Sequence, residues 1–198
     1  MPYLNVFRPM GFVPYMPAGK RAGRVITRPI PDSRAVNSGG NASTDLAIGD
    51  AYNIDGNGYV FRAGPGDTVR GIVIGFVFQG NAMTMNGQGP ISVDYIMGTP
   101  PTTYGPHIHW PLVLGCEDAE MEFWVQSNGF VISQAGMLVN LNDATPPDPV
   151  YRQSRQWINT GAAGTQFRVM GLVNSPADNN FGPNARIFVR MLQTFQND

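Results

Sequence analysis

The fold is decided by residues 48–78, which read IGDAYNIDGNGYVFRAGPGDTVRGIVIGFVF. Two short runs, Ala51–Ile54 and Tyr59–Arg62, are rich in aromatic and β-branched residues, and Asp55-Gly56-Asn57-Gly58 lies between them. Because two glycines and an asparagine accept the positive φ angles of a tight turn, this pattern predicts a β-hairpin. After the turn signal Gly64-Pro65-Gly66-Asp67, the run Val69–Phe78 is apolar on both faces and predicts a strand inside the core.

Short runs elsewhere in the chain alternate apolar and polar residues or are rich in strand-forming residues. We predict strands at Arg24–Ile30, Ile91–Met97, Leu112–Leu114, Glu120–Gln126, Phe130–Gln134, Met137–Asn142, Gln166–Asn174 and Ala185–Leu192. The polar run Gly80–Gly89 predicts a loop, the proline-rich run Gly98–Pro111 predicts a surface excursion, and Val150–Ile158 fits either a helix or a strand. Short strands at this spacing are typical of an all-β sandwich or barrel.

One predicted strand shows the alternation clearly. In Glu120–Gln126, the side chains of Met121, Phe123 and Val125 face one side, and the two glutamates and Trp124 face the other. We predict that Ser127-Asn128-Gly129 forms a hairpin turn into the next strand.

The composition agrees with an ordered, loop-rich β protein. The chain has 198 residues, 24 of them glycine and 17 proline, yet 42% are hydrophobic and only 14% are charged. A chain of this kind can bury enough apolar surface to fold without disulfides. We therefore expect a single β-sandwich or barrel-like domain with long loops: an extended arm and linker at residues 1–44, and a β-rich body at residues 45–198.

The arm opens with an apolar segment, Met1–Lys20, that four prolines interrupt. We expect neither a signal peptide nor a membrane helix here, because no apolar run is long enough. Prolines at this spacing favour extended geometry and present Tyr3, Phe7, Phe12 and Tyr15 as anchors. The anchors can be buried either on a neighbouring subunit or back on the protein's own body.

Charge is distributed unevenly along the chain. Residues 1–44 contain six basic residues and one acidic residue, whereas residues 45–198 contain seven basic and 13 acidic residues, for a net charge of −1. This balance gives no support for a nucleic-acid partner. Only one of the 13 basic residues is lysine, and arginine is the cation that protein interfaces favour.

The sequence has few residues that could act as a nucleophile or bind a metal. Cys116 is the only cysteine and is expected to be a small buried residue rather than a nucleophile; its solitude fits folding in a reducing cytoplasm. His107 and His109 have a spacing that could hold a metal, but no second ligand pair accompanies them. We expect no metal, no cofactor and no catalytic residues.

Acidic residues cluster at Glu117, Asp118, Glu120 and Glu122. They could include a carboxylate pair for sugar hydrolysis, but their alternation on a strand favours a solvated acidic face. Such a face could also complement the basic arm of a second subunit.

Several motifs together resemble the head decoration, or capsid cement, proteins of tailed double-stranded DNA bacteriophages. They are the opening YLNVFRPMGFVPY, the pair Gly49-Asp50-Ala51 and Arg70-Gly71-Ile72-Val73, the late run ATPPDP, and the closing strand ARIFVRML. The pair is similar to that family's "gdp" and "lGvv" strands, with Ala51 where a proline is frequent.

The resemblance implies a structural virion protein that is made in the host cytoplasm and lies on the outer surface of the capsid. Its partners would be the major capsid protein and further copies of itself, as a dimer or trimer, with no direct contact to nucleic acid or membrane. On this hypothesis Tyr3, Phe7, Phe12 and Tyr15 are buried against a neighbour, while Arg8, Lys20, Arg21 and Arg24 pair with acidic groups.

Two other functions stay open. A carbohydrate-binding β-module, for a receptor or cell-surface glycan, would use Tyr104, Trp110 and Trp157 with Glu120 or Glu122. A small metal-dependent enzyme would use His107 and His109.

Overall fold

The computed structural model describes residues 10–15, 25–29, 46–54, 56, 60–78, 81–84, 112–142, 154–173 and 179–192. The fold is all-β, as predicted, and its one helical segment in these ranges is a short 3-10 helix, Ile132–Gln134. The strands are β1 (Val13–Tyr15), β2 (Val25–Pro29), β3 (Ala51–Ile54), β4 (Val60–Arg62), β5 (Gly71–Phe78), β6 (Asn81–Thr84), β7 (Leu112–Cys116), β8 (Glu122–Gln126), β9 (Gly129–Phe130), β10 (Leu138–Asn142), β11 (Trp157–Asn159), β12 (Phe167–Leu172), β13 (Gly182–Pro183) and β14 (Arg186–Met191).

The first sheet has the strand order β1-β8-β14-β12-β10-β11, and every neighbouring pair is antiparallel. It curls round on itself. Ser127, which directly follows β8, forms a parallel bridge to Ile158 of β11, so the five strands from β8 to β11 meet at one end as a ring. Hydrogen bonds fix this closure: the backbone N–H of Asn128 donates to the carbonyl of Ile158 at 3.1 Å, and the backbone N–H of Thr160 donates to Asn128 Oδ1 at 2.9 Å.

The second sheet has the order β2-β7-β5-β3-β4, and β6 also pairs with β5. Its hairpin of β3 and β4 confirms the prediction made from Asp55-Gly56-Asn57-Gly58. The following turn is also confirmed, since the backbone N–H of Gly64 donates to Asp67 Oδ2 at 2.7 Å. Pro29 ends the edge strand β2, where a missing N–H costs no ladder bond.

The central position of β5 follows from its sequence. Ile72 belongs to a core cluster shared with the first sheet, whereas the next residue, Val73, belongs to a second cluster on the opposite face. Burial on both faces is what the continuous apolar run predicted. The first cluster joins β5 to Phe123, Val169 and Val189 of the first sheet, so the core lies between the two sheets and inside the curl.

Two buried glutamines tie the sheets together. The side chain of Gln156 accepts from the N–H of Ala51 at 2.6 Å and donates to the carbonyl of Ala63 at 3.0 Å. The side chain of Gln166 donates to the carbonyls of Gly64 and Asp67 and accepts from the N–H of Leu141 at 2.9 Å. Both amides satisfy backbone groups that no strand partner reaches, which buried polar groups require.

A buried ion pair lies beside Gln156. Arg62 Nε is 3.3 Å from Asp50 Oδ2, and the two side chains are almost completely buried. Asp50 Oδ2 also accepts the N–H of Ala47 at 2.7 Å, and the Ser154 side chain hydrogen-bonds to the same carboxylate. Burial raises the pKa of Asp50 above its usual value, and the Arg62 charge opposes that rise. We call Asp50, Arg62, Ser154, Gln156 and Gln166 the junction.

Two local predictions were wrong. Residues Asn81–Thr84, expected in a loop, form β6, because they pair with the second half of β5, which β3 does not reach. The predicted strand Phe130–Gln134 is a strand only in its first residue, and no hairpin joins it to β8. The reason is that Ser127 and Asn128 close the first sheet, which directs β9 away from β8 to pair with β13.

Candidate interaction surface

The predicted interface residues have different positions. Phe12 is 0% exposed, in the core of its own chain, and its ring stacks on Phe167 with the centroids 4.7 Å apart. The sequence analysis left two alternatives for the arm, burial on a neighbouring subunit or on the protein's own body. Phe12 is buried on its own body, so the prediction that its ring contacts a neighbour is wrong. Tyr15 is 40% exposed at the edge of the first sheet. Tyr3, Phe7, Arg8, Lys20, Arg21 and Arg24 lie outside the described residues.

A close approach of two glycines holds Phe12 in place. The N–H of Phe12 donates to the carbonyl of Gly49 at 2.8 Å, and both Gly11 and Gly49 have positive φ, at 69° and 91°. A Cβ atom on Gly11 would lie 2.4 Å from the Gly49 oxygen and from Ser154 Cβ, closer than atoms can approach. The segment from Gly11 to Tyr15 is therefore part of the folded body.

Aromatic side chains line the outer surface of the first sheet. Trp124 pairs across the strands with Val13 on one side and Phe188 on the other, and directly paired residues project from the same face. The Tyr15 and Phe188 rings are 4.5 Å apart. Trp124 and Phe188 are only partly buried, so their rings remain accessible from outside.

Arg190 forms ion pairs with two acidic residues of this surface. Its guanidinium is 2.7 Å from Glu122 and 3.5 Å from Glu120. The Glu120 side chain is 88% exposed, so the second contact is worth little in water. The prediction of an acidic face is thus modified: the two carboxylates share one arginine of the same chain.

Exposed aliphatic and aromatic side chains gather beside this row. Ile132, in the 3-10 helix, is 70% exposed, and Leu138 and Met170 are also exposed. The 3-10 helix lies against β12, and Leu138 is the cross-strand partner of Arg168. We call Val131, Ile132, Leu138, Met170 and Phe181 the apolar patch; Phe181 adjoins it because its ring stacks on Phe130, next to Val131.

Arg168 stands at the border of the apolar patch. It is exposed and lies directly across from Arg190, with Leu138 on its other side. Like charges at directly opposed positions repel each other. The glutamates neutralise Arg190, but within the described ranges no carboxylate lies within 4.0 Å of Arg168. The surface therefore has positive charge at the edge of an apolar area.

Sequence reasoning did not find the apolar patch. In Phe167–Leu172 both faces carry apolar residues, so alternation alone does not show that Met170 points outward. Ile132 was assigned to a strand, where its side chain would have been half-covered by neighbours. The only available signal was Arg168, a charged residue within an otherwise apolar strand.

Cys116 and the acidic residue next to it have structural roles. Burial raises the pKa of the Cys116 thiol to about 11, which leaves very little thiolate at neutral pH. The Glu117 carboxylate accepts the Tyr52 hydroxyl at 2.8 Å and lies 3.6 Å from Arg70, and the Tyr52 ring passes over Gly71 and Gly115. These contacts fix the second sheet.

The residues of the alternative functions are not assembled in the described ranges. Trp157 is half-buried on β11 and precedes Ile158, which bridges to Ser127 at the closure. Glu122 lies five residues before Ser127 on β8, which places it roughly 16 Å from the closure. Tyr104, Trp110, His107 and His109 lie outside the described residues. In the part of the chain that the structure describes, no group of three or more His, Cys, Asp or Glu side chains could hold a metal ion.

Among the described residues, no helix has the length and apolarity needed to cross a membrane. No protein-family model, curated protein or solved structure matches this chain. Two of the motifs named in the sequence analysis are neighbours in the second sheet: Gly49-Asp50-Ala51 leads into β3 and Arg70–Val73 into β5, where Ala51 and Ile72 are paired.

Proposed function

We propose that this protein is a structural virion component that binds the outer surface of a phage capsid and stabilises it by bridging major capsid protein subunits. On this proposal it acts without catalysis or cofactor, as a homo-oligomer on the head surface.

The observation that carries the proposal is the outer surface of the first sheet. Tyr15, Trp124 and Phe188 form an accessible aromatic row that adjoins two arginines and the apolar patch. Aromatic residues, methionine and arginine are enriched in protein interfaces, and apolar patches on a surface commonly mark binding sites.

The rigidity of the body also suits this role. The glutamine side chains of the junction join the two sheets, and Phe12 fixes the start of the body through the Gly11–Gly49 contact. A surface that changes shape little on binding loses little conformational entropy, and this favours tight attachment to a shell. Many identical copies on one shell add the effect of multivalency.

The test is co-sedimentation of the purified protein with expanded phage heads that lack decoration, at low and high salt. We expect saturable binding and a higher temperature for the loss of head integrity. If the protein stays in the supernatant with every head, the proposal is refuted, and binding to a glycan array would then favour the carbohydrate alternative.

The contribution of the arm is tested by point substitutions, because removal of residues 1–21 would also remove Phe12 and its core contacts. The double variant Tyr3→Ser, Phe7→Ser should keep the melting temperature and weaken head binding if these rings are anchors. Thr68→Ser is the control, since this exposed residue belongs to neither the arm, the aromatic row nor the apolar patch.

A further inference from the structure

The apolar patch and Arg168 together have the composition of a docking site for an apolar segment that carries a negative charge. The patch exposes Leu138 across the strands from Arg168, Met170 two residues further along β12, and Ile132 in the 3-10 helix that packs against β12. Arg190 and its two glutamates lie on the other side of Arg168 from Leu138. Exposed apolar area alone does not identify a partner, but the guanidinium at its border, which contacts no carboxylate among the described residues, does restrict the chemistry.

We infer that this site binds an apolar segment of a protein partner that carries an aspartate or glutamate, with the carboxylate on Arg168. The inference rests on the proposed function in one respect: the partner segment would belong to the outer surface of the major capsid protein. Arginine binds a carboxylate through two parallel N–H donors, and the flanking Leu138 and Met170 would exclude water from that contact.

A second copy of this chain fits the site less well. In a two-fold contact through the apolar patch, the same surface lies on both sides. The carboxylates of that surface, Glu120 and Glu122, already contact Arg190 of their own chain. A nucleic acid also fits less well, because the aliphatic neighbours of Arg168 offer nothing to phosphates and the net charge of the protein is −1.

The experiment uses the full chain and two short probe peptides, acetyl-Ser-Leu-Glu-Leu-Ser-amide and the same peptide with Gln in place of Glu. Methyl NMR signals of Ile132, Leu138 and Met170 are followed during titration at millimolar peptide. We expect shifts with the Glu peptide that weaken as salt rises, and about tenfold weaker binding of the Gln peptide.

Two variants with the same change in net charge provide the control. Arg168→Gln removes the positive charge at the patch, whereas Thr68→Glu adds a negative charge at an exposed turn of the second sheet. We expect Arg168→Gln to abolish the preference for the Glu peptide and Thr68→Glu to retain it. Equal shifts by both peptides, no shifts at all, or equal shifts by inorganic phosphate alone would overturn the inference.

Head binding by the same variants separates this inference from the proposed function. If the wild-type protein binds heads and Arg168→Gln binds them equally well, the inference fails and the cement function stands. If the wild-type protein binds no head but distinguishes the peptides through Arg168, the cement function fails and the carboxylate site stands.

Discussion

The junction and the apolar patch distribute polar and apolar groups in opposite ways. At the junction, an arginine, an aspartate and two glutamines are buried; Asp50 pairs with Arg62, and the glutamine side chains hydrogen-bond to backbone groups of both sheets. At the patch, aliphatic side chains are exposed beside an arginine. Burial of polar groups and exposure of apolar groups both cost free energy. At the junction this cost is offset by contacts that join the two sheets, whereas at the patch it would be offset by binding a partner.

The largest expected effect on stability comes from the anchor of the arm. Phe12→Ala removes a fully buried ring that stacks on Phe167, and we expect it to lower the free energy of unfolding by about 4 kcal/mol. Urea denaturation measures this change. Tyr15→Ala is the control and should cost less than about 1 kcal/mol, since that ring is already partly in water. Equal losses for the two variants would contradict burial of Phe12.

The ion pair of the junction gives the next largest effect. Arg62→Met leaves the Asp50 carboxylate buried without its cation and should destabilise the protein by about 3 kcal/mol. The double variant Asp50→Asn, Arg62→Met should recover much of this loss, because no charge then remains to be buried. A double variant that is no more stable than the single one would argue against this interpretation.

The same variant has a predicted pH dependence. Burial raises the pKa of Asp50 in the folded state, and the loss of Arg62 raises it further. The folded protein then holds the proton more tightly than the unfolded chain, so stability from this group is greatest below the usual carboxyl pKa and is lost as pH rises through the folded value. The destabilisation by Arg62→Met should therefore be larger at pH 8 than at pH 5, whereas that of the double variant should not depend on pH in this way.

A smaller effect is expected from the glutamine that bridges the sheets. Gln166→Met keeps the volume of the side chain but leaves the N–H of Leu141 and the carbonyls of Gly64 and Asp67 without this partner, at a cost of about 2 kcal/mol. Gln134→Met also removes two side-chain hydrogen bonds, but the one to Val131 is exposed to water. That control should cost less than about 1 kcal/mol in the same denaturation assay.

The smallest effect on stability, and a large one on binding, is expected at the apolar patch. Met170→Ser should change the free energy of unfolding by no more than about 0.5 kcal/mol, because the side chain is already exposed. It should nevertheless weaken binding to expanded heads. If Met170→Ser clearly lowers the free energy of unfolding and leaves head binding unchanged, the patch stabilises the fold and does not bind the partner.

Local sequence patterns were sufficient to predict the hairpin, the turn at Gly64–Asp67 and the central strand β5, because short-range turn chemistry and two-sided burial determine them. They were not sufficient for the junction. Asp50 and Arg62 are 12 positions apart in a hairpin region, and the Ser154 side chain that hydrogen-bonds to the Asp50 carboxylate lies more than 100 residues later in the chain. Local patterns also did not predict β6, which forms by pairing with the second half of β5.

The candidate site was less predictable for a related reason. Phe12 and Tyr15 look alike in the sequence, but the contact of Gly11 with Gly49 directs one ring inward and leaves the other at the sheet edge. The exposure of Met170 and the position of Arg168 between Leu138 and Arg190 depend on which side of a curled sheet each residue occupies. A single sequence does not contain that information in any short pattern.

The strand order has a consequence for biosynthesis. Phe12 emerges from the ribosome early, but its partner Phe167 emerges more than 150 residues later, and β14 then has to enter between β8 and β12. Translation at about 5–20 residues per second places these events roughly 8–30 s apart. A nascent chain interrupted before Arg186 lacks a central strand, so it presents neither the aromatic row nor Arg190. Only molecules translated through β14 can form the outer surface. Prematurely terminated chains therefore cannot occupy the binding site of the complete protein on its partner.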